Sequence, residues 1–339
     1  MRKFKMKSVD LSVIILSYNT KQLLRECLES VVQSAKHIAQ SEIIVVDNAS
    51  KDGSVEMIKK YVKKYSHKFV SGTDRLPRSE AENVPLIRED SCAIAIRLIE
   101  NRTNLGFAKG NNQGIKVAQG RYILFLNSDT EVFQDTFHKM VEYMDKNPEV
   151  GVATCKVVLA NGNLDPACHR GFPTPWNAFT YFTGLERLFP HSKLVSGYHL
   201  GWLDKNTIHE IDTPTGAFFL IRREVVKQTK GFDERYFMYA EDIDWSYRIK
   251  KLGWKVMFVP ITKIIHFKKR SGRAKKEAGK ITPEVKKIRE QTINHFFESM
   301  KLFYDTHYLD KYPEFIRKSI LSGIWFLTKI KLLVNKILG

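Results

Sequence analysis

The sequence is poor in cysteine and has no long apolar run. Its four cysteines lie far apart and form no C-x-x-C pair, so neither a disulfide framework nor a zinc site is indicated. They are Cys27, Cys92, Cys155 and Cys168. No uninterrupted apolar stretch approaches the roughly 20 residues of a spanning helix, which argues against a polytopic membrane protein. With 43% hydrophobic and 12% aromatic residues, the 339-residue chain is also not a solvated disordered one.

Acidic residues are scarce relative to basic ones. The chain has 55 Lys and Arg against 37 Asp and Glu, a net charge of +18, which favours an anionic partner. Nucleic acid, a phosphorylated small molecule and an anionic membrane would all satisfy this charge. No helix-turn-helix, RNA-recognition or zinc pattern is present, and basic residues concentrate in 268–280 and 316–339, so we predict no nucleic-acid partner.

Short apolar runs alternate with helical patterns through the first half of the chain. The apolar run at 11–16 follows a basic N-terminus but has only the length of a strand, so we interpret it as the first core strand rather than a secretion signal. Thr20 is a plausible N-cap of the helix that follows. Further strands are predicted at 43–46, 95–99 and 122–126, with helices between them. This alternation predicts an α/β fold with a mostly parallel sheet and flanking helices.

Polar residues follow three of these strands at the point where each strand ends. They are Ser17-Tyr18-Asn19, Asp47-Asn48 and Asn127-Ser128-Asp129. The carboxyl ends of parallel strands share one edge of a sheet, where ligands of such folds bind. Any one cluster alone is more typical of caps and turns. Three clusters at one edge favour a binding site.

Two further segments carry candidate chemistry. The glycine-rich stretch from Asn104 to Gly114 precedes a helix and suits a phosphorylated ligand, although a plain glycine-rich turn would have the same composition. Glu241 and Asp242 lie among aromatic residues, a setting that raises a carboxyl pKa and suits a general base. An acid-rich helix N-terminus is the alternative interpretation.

Seven motifs in this order resemble the inverting family-2 nucleotide-sugar glycosyltransferases of the GT-A fold, within them the bacterial rhamnosyltransferase-like branch. The resemblance covers roughly residues 10–271. The motifs are VIILSYN at 13–19, VVDNASKDGS at 45–54, NLGFAKGNNQG at 104–114, LNSD at 126–129, TGAFFLIRR at 215–223, GFDERYFMYAEDIDW at 231–245 and HFKKRS at 266–271.

The resemblance implies roles for individual residues. Tyr18, Asp47 and Asn48 would hold the base and ribose of the donor. Four further residues would line the donor pocket, namely Asn104, Gly106, Asn112 and Asn127, the last of which occupies the first position of the family's D-x-D motif. Asp129 and His266 would hold a divalent Mg²⁺ or Mn²⁺.

The resemblance also implies a reaction, in which Asp242 is the general base and Glu241 supports it or binds the acceptor. The chain would move a sugar, rhamnose from dTDP-rhamnose by the name of the branch, to a hydroxyl of a cell-surface glycan or lipid-linked acceptor. A catalytically inactive relative that binds glycans or nucleotide sugars is the alternative. The pattern selects no oligomeric state.

On this basis residues 1–267 are predicted to form the GT-A domain, with a surface insertion at 66–94 and a loop-rich acceptor-side lobe at 154–214. Residues 268–339 would form a basic helical C-terminal region. Its last helix has aromatic and basic residues that suit the cytoplasmic face of an anionic membrane, or it docks on the catalytic domain or a partner chain. A cytoplasmic protein, peripheral at the inner face of the cell membrane, is therefore expected.

Overall fold

A computed structural model describes residues 9–66, 86–89, 92–268 and 283–338. Most of the predicted insertion 66–94 lies outside the described residues. So does the part of the predicted basic C-terminal region at 269–282 and the end of the HFKKRS motif.

Within the described residues ten strands form one sheet, flanked by helices. The strands are β1 (Leu11–Ser17), β2 (Gln40–Asp47), β3 (Leu86–Glu89), β4 (Cys92–Glu100), β5 (Tyr122–Asn127), β6 (Thr130–Val132), β7 (Val150–Leu159), β8 (His209–Glu210), β9 (Phe218–Arg222) and β10 (Lys255–His266). Their order across the sheet is β3-β4-β2-β1-β5-β9-β7-β10-β6, and β8 pairs with β10.

The helices fall in the gaps between strands and at the C-terminal end. They are α1 (Lys21–Ala35), α2 (Ser54–Ser66), α3 (Phe107–Val117), α4 (Thr136–Lys146), α5 (Pro175–Thr183), α6 (Leu185–Leu188), α7 (Arg223–Thr229), α8 (Glu241–Lys251), α9 (Pro283–His307) and α10 (Glu314–Leu338). A short 3₁₀ helix covers Pro166–Cys168.

The predicted strands and the α/β class are confirmed, and the parallel arrangement holds for the N-terminal half. β4, β2, β1 and β5 run parallel, and the almost uninterrupted apolar residues of β2, β1 and β5 are buried on both faces, as parallel strands between helices require. Beyond β5 the sheet is mixed, because β9 inserts antiparallel between β5 and β7. At the other edge β3, which lies within the predicted insertion, pairs antiparallel with β4.

Thr20 occupies the N-cap position of α1 as predicted, but its side chain does not cap the helix. Its hydroxyl lies 3.1 Å from the Ser17 hydroxyl and 3.0 Å from the Ser128 hydroxyl. The capping prediction was therefore wrong in its mechanism: the hydroxyl joins the ends of two strands instead of satisfying the helix.

Three of the cysteines are buried free thiols, in accordance with the absence of a disulfide framework. These are Cys27, Cys155 and Cys168. Burial raises the pKa of the Cys27 and Cys168 thiols to about 12, so they are inert core residues.

The loop-rich part of the predicted lobe begins at residue 160, because 154–159 belong to β7. Between β7 and β9 the chain forms turns, the 3₁₀ helix, α5, α6 and β8. This segment pairs with β10 through β8 and returns to the sheet at Ala217, whose carbonyl accepts from the Asn127 N–H at 3.5 Å.

Two apolar clusters hold the fold together. The first fills the space between the sheet and its helices. The second is smaller and joins α8 to the C-terminal helices through Ile243, Tyr247, Phe303, Tyr308 and Ile324. None of the helices in the described residues combines the length and the apolar character that crossing a bilayer requires.

Candidate active site

The carboxyl ends of β1, β2 and β5 meet at one edge of the sheet. Ser17 pairs with Asp47 across β1 and β2, and Leu16 pairs with Asn127 across β1 and β5. The three polar clusters that the sequence places after separate strands therefore lie in one row, as expected for parallel strands.

In this row Tyr18 is exposed and Asp47 has one oxygen without a partner in the described structure. The Tyr18 side chain is half-exposed, at 49%. Asp47 accepts from the Ser50 N–H at 2.8 Å through one oxygen, while its other oxygen is buried without a partner in the described structure. Burial raises the pKa of the Asp47 carboxyl, and the hydrogen bonds from Ser50 only partly offset this effect. A ligand hydroxyl would satisfy the remaining oxygen.

Asn48 and Asn104 hold the glycine-rich loop in place. The Asn48 amide donates to the Gly106 carbonyl at 3.0 Å and to Asn104 Oδ1 at 3.2 Å, and it accepts from Asn101 at 2.9 Å. Asn104 Oδ1 also accepts from the Gly106 N–H at 3.0 Å. These bonds leave Asn48 buried and satisfied, so it shapes the donor side of the edge instead of facing open space.

Gly106 permits a close contact between this loop and the segment before α8. Its φ of 81° is left-handed, and a Cβ there would lie 2.4 Å from the Phe237 carbonyl oxygen. The same carbonyl accepts from the Phe107 N–H at 2.7 Å. The glycine-rich loop therefore contacts the approach to Glu241 directly.

Asn112 also bonds to protein backbone. Its amide donates to the Phe232 carbonyl at 2.9 Å and to Glu234 at 3.1 Å, and its oxygen accepts from the Phe232 N–H at 3.0 Å. The side chain is buried beneath Gly231. The structure thus places Asn112 as a clamp on the loop before α8.

Asp129 and His266 lie together at the end of β5. Asp129 Oδ1 is 3.2 Å from His266 Nε2, and the Asn127 amide is 3.3 Å from the same nitrogen. Both side chains are almost fully buried. His266 is the last residue of β10, and it lies beside Asp129 because β10 pairs antiparallel with β6, which begins directly after Asp129.

Asp165 holds the other side of the imidazole. Its Oδ2 lies 3.0 Å from His266 Nδ1, and its Oδ1 accepts from Lys268 Nζ at 2.6 Å. Burial disfavours the charged imidazole, but hydrogen bonds to Asp129 and Asp165 outweigh it and raise the pKa of His266. Burial likewise disfavours ionised Asp165, yet His266 and Lys268 hold the pKa of that carboxyl below its usual range.

Asp129 and His266 could supply two protein ligands to a divalent metal ion. Among the described residues no group of three His, Cys, Asp or Glu could hold an ion. Asp129 and His266 still offer one carboxylate and one imidazole whose ring is oriented by Asp165, a common arrangement for a metal-binding histidine. Mg²⁺ is commonly bound by one or two carboxylates plus substrate phosphates, so two protein ligands suffice when the ligand is a diphosphate.

Glu241 and Asp242 begin α8 but differ in their surroundings. Asp242 Oδ2 accepts from Arg170 Nη2 at 2.7 Å, and its Oδ1 accepts from the Ile243 N–H at 2.8 Å. Glu241 has a buried Oε2 without a partner in the described structure. Burial first, and the charge of Asp242 second, raise the pKa of Glu241 above its usual range. Asp242 is therefore ion-paired, whereas its buried neighbour has its charged form disfavoured.

Arg170 ties the lobe to this pair of acids. Its guanidinium also donates to the Pro214 carbonyl at 2.6 Å, and the Thr213 hydroxyl donates to the Asp242 carbonyl at 3.4 Å. From Thr213 the chain continues to Ala217, which bonds to Asn127. The acid pair and the Asp129–His266 pair are thereby connected through one short segment.

Sequence reasoning missed Asp165 and Arg170. They lie five positions apart on the same lobe segment, where one orients His266 and the other pairs with Asp242. Their only sequence signal is charge within a loop-rich, aromatic stretch. The function of each depends on a partner 101 or 72 positions away.

Asp244 completes the acidic first turn of α8 but does not face the site. It is fully buried and pairs with Arg248 at 2.9 Å and with His307 at 2.7 Å. Asp244 therefore has a structural role, whereas one Glu241 oxygen has no partner in the described structure.

A sequence model of the family described as "Glycosyltransferase like family 2" matches residues 9–281, more than half of the chain. All of the site residues above lie within this match. The match ends before α9 begins.

Two curated proteins illustrate the relationship. The chain is 25% identical over 224 residues to the N-acetylglucosaminyl-diphospho-decaprenol L-rhamnosyltransferase of Mycobacterium tuberculosis, covering 59% of this chain and 64% of that protein. It is 30% identical over 167 residues to the O-antigen biosynthesis protein RfbC of Myxococcus xanthus, covering 48% of this chain. The aligned part spans only 12% of the Myxococcus protein.

Solved structures show the same fold at low identity. A mannosyltransferase from Pyrobaculum calidifontis, in complex with GDP-Man and Mn²⁺, superimposes with a TM-score of 0.54 at 15% identity, covering 98% of this chain and 74% of that one. TarS 1–349 from S. aureus, in complex with UDP, gives a TM-score of 0.51 at 18% identity, covering 94% and 71%. These neighbours are GT-A transferases, so the fold predicted from the motifs is confirmed.

Proposed function

Because this chain belongs to glycosyltransferase-like family 2, we propose that it transfers a sugar from a nucleotide-sugar donor to a hydroxyl of a cell-surface glycan or lipid-linked acceptor, with inversion at the anomeric carbon. The proposal rests on one observation: two adjacent buried acids differ in whether their oxygens have partners. Asp242 is ion-paired with Arg170, whereas Glu241 has a buried oxygen without a partner in the described structure.

The two acids take different roles. Asp242 accepts the proton of the acceptor hydroxyl as that oxygen attacks the anomeric carbon, and Arg170 and the Ile243 N–H hold its carboxylate in position. Glu241, whose charged form is disfavoured by burial and by the charge of Asp242, donates a hydrogen bond to a hydroxyl of the sugar or the acceptor. Neighbouring carboxyls in different environments commonly divide such roles.

The donor lies along the sheet edge in this proposal. Tyr18 stacks on the nucleobase, and the free Asp47 oxygen accepts from a ribose hydroxyl. Asn48, Asn104, Gly106 and Asn112 act on the donor by shaping the loops around it. Asn127 contacts His266 beside the diphosphate.

Asp129 and His266 would hold a Mg²⁺ or Mn²⁺ ion against the donor diphosphate. When bound, the ion neutralises negative charge on the leaving nucleoside diphosphate. The protein's own part is to keep the imidazole oriented, and the Asp165–His266 hydrogen bond at 3.0 Å supports that role.

Rhamnose from dTDP-rhamnose is the donor we favour. The motifs resemble the rhamnosyltransferase-like branch, and the mycobacterial relative is named as an L-rhamnosyltransferase acting on a diphospho-decaprenol compound. A lipid-linked acceptor in this chain is proposed on the same basis, with residues 1–267 as the catalytic domain.

The outward face of α10 supports a peripheral position at the cytoplasmic side of the membrane. Phe326, Ile330, Leu333 and Ile337 are exposed at helical spacing. Five Lys or Arg and no acid lie within 316–339, and each basic side chain near anionic lipid contributes about 1 kcal/mol. Flotation with anionic vesicles tests this: Leu333→Ser with Ile337→Ser should lose vesicle binding, and equal binding by this variant would contradict it.

Nucleoside diphosphate release from a panel of dTDP-, UDP- and GDP-sugars tests the proposed activity. With Mg²⁺ or Mn²⁺ and membrane lipid extract as acceptor source, we expect release from dTDP-rhamnose above all other donors. Release from a different donor would correct the sugar and keep the reaction. Binding of donors without release from any of them would favour an inactive binding relative.

A further inference from the structure

The segment 237–240, which leads into α8 and is called the approach loop below, has an unusual backbone. Tyr239 has a φ of 74° and Ala240 a φ of 62°, so two consecutive non-glycine residues lie in the left-handed region. Side chains with a Cβ rarely adopt this conformation, and it persists only where surrounding contacts impose it. Glu241 and Asp242 follow directly, so their position depends on this loop.

One set of contacts comes from the glycine-rich loop. The Phe107 N–H donates to the Phe237 carbonyl at 2.7 Å, and Gly106 lies against the same carbonyl. These contacts fix only the first residue of the approach loop.

A second set of contacts comes from α9. The Ser299 hydroxyl donates to the Met238 carbonyl at 2.9 Å. The His295 ring stacks on Phe237, with ring centroids 4.7 Å apart, and Phe296 meets the Tyr239 ring edge-on at 5.8 Å. Three residues on one face of α9 therefore contact three consecutive residues of the approach loop.

The far end of α9 contacts α8 itself. His307 Nε2 lies 2.7 Å from Asp244 Oδ1, and both side chains are buried. Ile243 and Tyr247 of α8 pack in the second apolar cluster with Phe297 and Phe303 of α9. α9 thus runs along both the loop and the helix that present the acid pair.

We propose that α9, which lies beyond the family match, is a positioning element of the active site. It holds residues 237–239 of the approach loop, so that Glu241 and Asp242 begin α8 at a fixed place. Ser299 and His295 are its principal positioning residues. The inference rests on the proposed role of the acid pair, and it adds a requirement for a region that the family match leaves out.

Hydrogen exchange of the full-length protein without any ligand tests the hold on the loop. Ser299→Ala and His295→Ala should speed amide exchange in peptides covering 237–242 by about threefold to tenfold, as expected for one lost interaction of ordinary strength. Thr292→Ala is the matched control, because its hydroxyl is exposed and bonds only within α9, to the Ile288 carbonyl. Equal exchange in all three variants would overturn the proposal.

Turnover with dTDP-rhamnose and Mg²⁺ tests the consequence for the site. Both variants should lower kcat by about tenfold at unchanged donor KM, because small displacements of a reacting group are costly while donor contacts are untouched. Faster exchange with unchanged kcat would overturn the positioning role. If instead Asp242→Asn keeps its turnover, the proposed function fails, and exchange still reports whether α9 holds the loop.

Discussion

Two groups of polar residues at the donor edge and the start of α8 differ in their hydrogen bonds. The side chains of Asn48, Asn104 and Asn112 bond to the backbone of neighbouring loops. Asp47 and Glu241 each keep a buried oxygen that no described residue satisfies. Since buried polar atoms are almost always paired, the first group builds the shape of the site, and we expect a ligand to satisfy the second.

A residue in a motif can therefore either shape the site or be available to a ligand. Glycine-rich and amide-rich motifs suggest ligand contacts by their composition, yet Asn112 reaches across 120 positions to Phe232. The acids of α8 look like an ordinary helix start, yet Asp244 pairs with Arg248 and His307 while Glu241 keeps a buried oxygen without a partner in the described structure. Residue type alone does not distinguish the two uses.

Replacing Asn112 with Ala tests the group of residues that shapes the site, and we expect it to cause a large loss of stability. The change removes two hydrogen bonds to Phe232 and one to Glu234, which should lower the free energy of unfolding by about 2 kcal/mol. Urea denaturation measures this, with the exposed Asn206→Ala as control. Unchanged stability with lost dTDP binding would place Asn112 at the ligand instead.

Replacing Tyr18 with Ala should give the opposite pattern. The ring is half-exposed, so stability should be unchanged, whereas loss of base stacking should weaken dTDP binding by about tenfold. Calorimetric titration with dTDP and Mg²⁺ measures the affinity. Phe315→Ala, an exposed aromatic on α10, is the control, and equal affinity in both variants would remove Tyr18 from the donor site.

Glu241→Gln should change the pH dependence of stability. Burial, followed by the charge of Asp242, raises the pKa of Glu241 in the folded protein above its ordinary 4.5, so the folded state keeps a proton that the unfolded state loses. This contribution to stability is complete below about pH 4.5 and is lost as pH rises through the raised pKa.

Glutamine cannot ionise, so the thermal midpoint of the variant should gain on that of the wild type by about 2 °C or more between pH 5 and pH 8.5. Glu142→Gln, an exposed acid paired with Lys146, is the control. Parallel midpoint curves for wild type and Glu241→Gln would show that the pKa of Glu241 is not raised in the folded protein.

Local patterns sufficed to predict the parallel half of the sheet. Apolar runs at 13–16, 43–46 and 122–126 lie within β1, β2 and β5, because a strand buried on both faces is apolar throughout. The antiparallel insertion of β9 was not predicted, since pairing across distant segments leaves no local signal. The same holds for the bond of the Thr20 hydroxyl to Ser128, 108 positions away.

The candidate site was predicted in part for a related reason. Motif order located Asp129, His266, Glu241 and Asp242, whose contacts agree with a site. Asp165 and Arg170 escaped prediction because each acts through one distant partner. Which amides bond to backbone and which acids keep an unpartnered oxygen is visible only in the hydrogen bonds of the structure, which a sequence does not record.

Turnover of Asp242→Asn is the measurement that bears most directly on the proposed reaction. With dTDP-rhamnose and Mg²⁺, nucleoside diphosphate release should fall by about 100-fold or more while dTDP affinity stays unchanged, because the amide cannot accept the acceptor proton. Asp233→Asn, the same substitution at an acid paired with the exposed Arg235, should remain near wild-type activity. Release by Asp242→Asn within about threefold of the wild type would contradict the role of Asp242 as general base.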